Sequence, residues 1–142
     1  MGRENVDFLE AIGRLTTVLG QSPQYCQYPI VVIGLWLEPA VRHKQIRFFL
    51  NESGSTVGYM TWAWLTQETE SRFIHDPNII LHLSEWNEGD RLWILDFVVN
   101  NGDFRARLRE ARVLFDGVNC AKSLRRRDDG TVRKVTTWHR TL

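Results

Sequence analysis

Near the start of the chain apolar residues recur at Phe8, Ile12, Leu15 and Leu19, with Leu9 and Val18 beside them, until Gly20 interrupts the run. This is helical spacing with a terminating glycine, and it predicts an amphipathic first helix whose wide apolar stripe must pack on something. Gln21 to Tyr28 then reads as a polar loop, broken by Pro23 and closed by Pro29, with the hydroxyls and amides of a site wall. Ile30 to Val41 is apolar almost throughout and stays open: Ile30 to Ile33 favour a strand, whereas Glu38-Pro39-Ala40 suggests a helical turn beginning near Pro39. Gln45 to Leu50 and Thr56 to Leu65 are extended runs around Asn51-Glu52-Ser53-Gly54-Ser55, which makes a hairpin. Thr66 is placed to cap a short helix reaching about His75, with Glu68 and Glu70 in its first turn. After a connecting stretch from Ile79 to Trp86, a turn at Asn87, Gly89 and Asp90 opens into eight mostly apolar residues, a central strand that a second turn at Asn100-Asn101-Gly102 closes. Asp103 caps a helix with Phe104, Leu108, Ala111 and Phe115 facing inward. Val118 to Arg126 and Thr131 to Arg140 then close the chain as a hairpin around Asp128-Asp129-Gly130. The order predicts an α/β (α+β) layer fold, a mostly antiparallel sheet flanked by helices.

Strict alternation along the strand puts Leu92, Ile94, Asp96 and Val98 on one face, and Trp93, Leu95, Phe97 and Val99 on the other. Both faces are apolar apart from Asp96. An ionised carboxylate there costs several kcal/mol unless it is paired or hydrogen-bonded, which makes Asp96 the first candidate for chemistry. The plainer reading is a structural carboxylate that accepts bonds from a neighbouring loop or an arginine.

Length and composition narrow the field. The chain has 142 residues, enough for one domain with a normal core, and the prediction is a single domain over 1–142. Its 18 Lys and Arg against 17 Asp and Glu leave a net charge of +1, so any charge-driven partner must use a local patch. Cys26 and Cys120 form no CxxC pair, and the N-terminus carries no secretory leader pattern. No apolar run approaches a membrane span. These features predict a soluble cytoplasmic protein with free thiols. His43, His75, His82 and His139 lack metal-ligand spacing, so no metal site is expected. GxGxxG, P-loop and GxSxG signatures are absent. The 6 tryptophans are expected mostly in the core.

Ser22-Pro23-Gln24-Tyr25 with Tyr28-Pro29, Thr61-Trp62-Ala63-Trp64-Leu65-Thr66, and Gly89-Asp90-Arg91-Leu92-Trp93-Ile94-Leu95-Asp96 carry a resemblance. In these blocks and their spacing the chain resembles the toxin-activating lysine acyltransferases that modify hemolysin-type RTX toxins, from its first helix to its last hairpin. Members of that family move a fatty acyl group from acyl carrier protein to the ε-amine of internal lysines in a protoxin, on a GNAT-like fold. The resemblance therefore implies a cytoplasmic acyltransferase with no bound cofactor, acyl-loaded acyl carrier protein as donor, and a lysine-bearing protein as acceptor. Family members are often dimeric, which puts a homodimer among the expectations. The family's catalytic aspartate falls on Asp96 and its Ser-Pro motif on Ser22 and Pro23. Where the family has a histidine, this chain has Tyr25; where it has Ala-Pro-Phe-Gly after the strand, this chain has Val99-Asn100-Asn101-Gly102.

The tyrosine bears on mechanism. Transfer to an amine requires a deprotonated lysine, a task suited to a group titrating near neutrality, whereas tyrosine ordinarily titrates near 10. Two substitutes are conceivable: Cys26 as an acyl-accepting thiolate, or Asp96 with a raised pKa acting directly or through water. If neither serves, the fold persists as a binding or assembly module without the reaction. Arg105, Arg107, Arg109 and Arg112 could dock the acidic carrier, or form an ordinary solvated helix face. A nucleic-acid reading of the last hairpin rests on Lys122, Arg125, Arg126, Arg127, Arg133, Lys134 and Arg140, with Trp138 and His139 beside them. Near-zero total charge and the lack of a binding motif weigh against it, and these residues suit a guarded sheet edge better.

Overall fold

The structure is a computed structural model and describes residues 3–23, 25–100 and 103–139. Asn101, Gly102 and Arg140, which the sequence placed in a turn and a strand, lie outside the described residues. Helix α1 runs over Arg3–Gln21, with Leu15 and Val18 fully enclosed and Ile12 and Leu19 packed beside them, whereas Leu9, which the sequence set beside the stripe, is 67% exposed.

The open stretch is helical. A π-helical turn over Ile33–Leu37 leads directly into α2, Glu38–Arg42, with Pro39 in its first turn. The strand alternative at Ile30 to Ile33 gives way because the backbone turns on itself after Pro29: the Val32 N–H donates to the Pro29 carbonyl and the Ile33 N–H to that of Ile30, each at 3.0 Å. Leu37 and Ala40, three positions apart, are buried on one helical face, while Ile30 and Val31 stay exposed.

Both hairpins form where turn chemistry placed them. Strands β1 (Ile46–Leu50), β2 (Thr56–Leu65), β3 (Arg91–Val99), β4 (Cys120–Arg126) and β5 (Val132–His139) make one sheet in chain order. Every pairing is antiparallel except β3 with β4. That parallel step follows the crossover helix α4, Phe104–Leu114, capped by Asp103, whose Oδ1 accepts from the backbone N–H groups of Arg105 and Ala106. Helix α3, Gln67–His75, starts at Thr66, whose hydroxyl oxygen accepts from the Thr69 N–H at 3.1 Å. Gly130 turns the last hairpin at φ 87°, a left-handed conformation that glycine adopts freely.

The sheet is covered on both faces. On one side Tyr59, Ala63, Leu65, Trp93 and Val98 pack with Leu15 and Val18 of α1, Leu37 of the π-helical turn, Ala40 of α2 and Phe73 of α3. Phe49, Met60, Trp62 and Leu92 meet Ala111 and Phe115, on and just past α4, on the other. Trp86 and Trp93 are fully buried, whereas Trp138 is 46% exposed, so the core does not take every tryptophan.

Strict alternation on β3 does not hold. Trp62 pairs with Ile94, but the next β2 residue, Thr61, pairs with Asp96, leaving Leu95 as an extra residue. This β-bulge resets the faces: Leu92, Ile94, Phe97 and Val99 pack on the α4 side, while Trp93, Leu95 and Val98 pack on the α1–α3 side. Asp96, one residue past the bulge, shares the latter face and is parted from Ile94 and Leu92, with which alternation had grouped it.

Candidate active site

The bulge delivers Asp96 to the side of the sheet where the loop after α1 and the π-helical turn converge. Its Oδ2 accepts two hydrogen bonds, from the indole N–H of Trp36 at 2.9 Å and from the hydroxyl of Thr61 at 3.0 Å. Trp36 comes from the π-helical turn; Thr61 is the fully buried cross-strand partner of Asp96. A cavity of about 510 Å³ adjoins this carboxylate, lined by Leu19, Tyr25, Cys26, Tyr28, Ile33, Leu35, Trp36, Leu37 and Tyr59 as well as by Asp96. Its size falls in the usual range for small-molecule sites, roughly 300–1,000 Å³, and its wall is mostly apolar.

Electrostatics follow from that enclosure. Asp96 keeps some accessible surface, the part that lines the cavity, yet burial of the carboxyl is the largest influence on it and pushes its pKa up. The bonds from Thr61 and Trp36 pull the other way without cancelling the effect. Tyr25 is pushed up to about 12, first by burial and then by the charges of Asp96 and Tyr28. Tyr59 is driven further in the same direction, again chiefly by burial, with Asp96 next. Both phenols therefore stay protonated at neutral pH, and both line the cavity that Asp96 lines.

The loop that carries Tyr25 is built on Ser22. Buried at the end of α1, Ser22 accepts through its carbonyl from the N–H groups of Tyr25, at 3.2 Å, and Cys26, at 2.9 Å. Its place is behind the loop, outside the cavity lining. The Tyr25 ring meets Tyr28 edge-on with centroids 5.2 Å apart. Cys26 lies on the cavity wall, and both cysteines are free and exposed.

The structure thus brings Tyr25 and Asp96 together and leaves the arginines of α4 apart. Arg105, Arg109 and Arg112 are exposed on a helix that packs against the opposite sheet face. Arg107 is half-buried there, bonded to the Leu50 carbonyl and over the Phe49 ring. Sequence reasoning missed Trp36, Tyr59 and Thr61 as members of the site. Only Thr61 left a trace, as part of a recognisable block, because cross-strand pairing and the bulge decide who meets Asp96.

None of the described helices is long and apolar enough to cross a membrane. Among the described residues no cluster of His, Cys, Asp and Glu could hold a metal ion.

Fold and site together define a mixed α/β protein that sets one buried carboxylate with a raised pKa, and two neutral phenols, on the wall of an apolar cavity. The chain belongs to the RTX toxin acyltransferase family, which it matches over residues 4–139. It is 32% identical over 92 residues to the RTX-II toxin-activating lysine-acyltransferase ApxIIC of Actinobacillus pleuropneumoniae, covering 65% of this chain and 56% of that relative. It is 27% identical over 139 residues to the protein-lysine myristoyltransferase HlyC of Escherichia coli, covering 98% of this chain and 79% of that protein. A leukotoxin-activating lysine-acyltransferase, LktC of Mannheimia haemolytica, is 31% identical over 98 residues, 69% of this chain and 58% of its own length. The ApxIIC match therefore spans little more than half of that relative.

Proposed function

We propose that this protein transfers a fatty acyl group from acyl carrier protein to a lysine of a partner protein, using Asp96 as the base. The observation that carries this reading is the placement of a carboxylate with a raised pKa on an apolar cavity, next to the loop where the resemblance puts the family's histidine. In the reaction the lysine ammonium gives one proton to Asp96, and the free amine attacks the thioester carbonyl, forming the C–N bond. The tetrahedral intermediate expels the thiolate as the C–S bond breaks. The nitrogen's second proton goes to the leaving sulfur, and Asp96 returns its own to water. A raised carboxylate pKa suits proton transfer near neutrality. Tyr25, held neutral, serves as a hydrogen-bond donor to the developing oxyanion. Arg105, Arg109 and Arg112, exposed on the helix that covers the other sheet face, offer an acidic carrier a cationic surface.

A second reading is a relative that has kept the surface and lost the reaction. It is favoured by Tyr25 in the histidine's place and by the absence of any histidine from the described cavity lining. The two part on one experiment: incubation with acyl-loaded carrier protein and a candidate lysine protein, read by intact mass. The acyltransferase reading expects a mass gain that Asp96→Asn abolishes. No gain with the native chain, but gain with Tyr25→His, would show a reaction lost with the imidazole; no gain with either supports the binding module.

A further inference from the structure

Two irregular pieces of backbone face each other at this site. The bulge at Leu95 turns Asp96 toward α1 and α2, and the π-helical turn Ile33–Leu37 brings Trp36 down to meet it. Irregularities of both kinds concentrate at functional sites, because each re-aims a side chain that a regular element would send elsewhere. The Trp36 ring is itself fixed, stacked on Phe73 with an 11° interplanar angle and edge-on to Trp86 at 6.0 Å. Its N–H is thus presented to the carboxylate by packing. Thr61 is fixed as well, on the neighbouring strand and fully buried.

The two donors converge on the same oxygen. Trp36 and Thr61 both donate to Oδ2, and among the described residues none bonds Oδ1. An oxygen already accepting two hydrogen bonds is a poor place for a proton, since a hydroxyl there would meet two donors. We propose that Trp36 and Thr61 are positioning residues that hold Oδ2 in its charged-acceptor role, so that the proton Asp96 gains and loses is always carried on Oδ1, toward the cavity. The inference rests on the reading of Asp96 as the base, and it deepens that reading by saying which oxygen acts and what orients it. The titratable groups that share the cavity wall are Tyr25, Cys26, Tyr28 and Tyr59; no lysine, arginine or histidine is among its described lining. The two donors are therefore the principal local means of moderating the carboxyl.

The test follows the Asp96 carboxyl directly, by carbon NMR through a pH titration of the isolated protein, in Trp36→Phe, Thr61→Val and Thr61→Ser. Phenylalanine keeps most of the ring and loses the N–H; valine keeps the shape of threonine and loses the hydroxyl. A hydrogen bond to the charged form lowers a carboxyl's pKa, so each loss strengthens proton binding, by about 2.5- to tenfold for a bond of ordinary net strength, about 0.4 to 1 pH unit. Thr61→Ser restores the native midpoint. In the acyl-transfer assay Trp36→Phe and Thr61→Val shift the alkaline-rising limb of kcat/KM upward by the same amount and leave KM for the carrier unchanged, and Thr61→Ser leaves the limb in place. An unmoved midpoint in Thr61→Val, or in a folded Trp36→Phe, overturns the proposal, since pure packing partners would behave that way. The NMR midpoint does not depend on turnover: if the native chain transfers no acyl group but the midpoints move, the acyltransferase reading fails and the positioning of Asp96 stands.

Discussion

Asp96 is stabilised in the folded chain when protonated and made costly when charged. Its folded pKa lies above the ordinary carboxylate value of 3.8, so the chain binds this proton more tightly folded than unfolded. The resulting stabilisation is full below 3.8 and is lost as pH rises through the raised folded value. Asp96→Asn removes the titration, and the Asn carbonyl still accepts from Trp36 and Thr61. We expect urea denaturation to give near-equal stability for the two proteins at pH ~3 and a more stable variant at pH ~8, with acyl transfer abolished at both. Asp96→Ala behaves oppositely: it strands two buried donors and destabilises by about 1–3 kcal/mol. A single charge in an apolar strand made this residue legible in the sequence. Its partners were not, because Trp36 is one apolar residue among many in its stretch and Tyr59 and Thr61 reach the site only through sheet pairing.

Elements with their own signals were legible for that reason. The first helix has spacing and a stop, α3 and α4 have caps, and both hairpins have Gly-bearing turns, whose local chemistry acts within a few residues. The segment from Ile30 to Val41 had no such signal: apolar residues in unbroken succession fit either period, and only the surface available beside β2 and α1 selects the helical one. The bulge was hidden for a related reason. With both faces of β3 buried and apolar, one extra residue leaves no mismatch of polar and apolar positions to betray it. It does make a sharp prediction. Removing Leu95 would bring Ile94 and Asp96 into unbroken register with Trp62 and Thr61, each still on its present face. The deletion should therefore fold, losing about 2 kcal/mol with the Leu95 side chain's burial, and keep the raised Asp96 pKa. Removing Phe97 reverses the faces of whatever follows or precedes it and should abolish cooperative thermal unfolding.

At the scale of the molecule, the sheet is tightly joined through β3 and only lightly beyond it. Strands β3 and β4 pair at Leu92 with Ala121 and Trp93 with Lys122, so the last hairpin depends on side chains to stay in place. Glu70 on α3 supplies the link: it is 7% exposed and accepts from the Trp93 indole at 2.8 Å, from Arg91 at 2.7 Å and from Lys122 at 3.4 Å. Arg126 adds a bond to the Phe73 carbonyl and sits 5.0 Å from that ring's centroid. Burial alone would raise the Glu70 pKa, but Trp93, Lys122 and Arg91 outweigh it and hold the carboxyl below its ordinary 4.5. A depressed folded pKa gives stability that is present above 4.5 and is lost as pH falls through the folded value. Glu70→Gln keeps an acceptor for the Trp93 N–H and discards the charge facing Arg91 and Lys122. Because both cations keep contact with water, the expected cost is modest, about 1–2 kcal/mol at neutral pH. That cost should fall on one part of the molecule. Hydrogen exchange in the variant should quicken in β4 and β5 while β1 and β2 keep native protection, and the native protein should show the same pattern as it is acidified through the lowered folded pKa of Glu70. Uniform acceleration across all five strands would mean that the hairpin unfolds only with the whole sheet, and that the backbone pairing at Leu92 and Trp93 suffices to hold it.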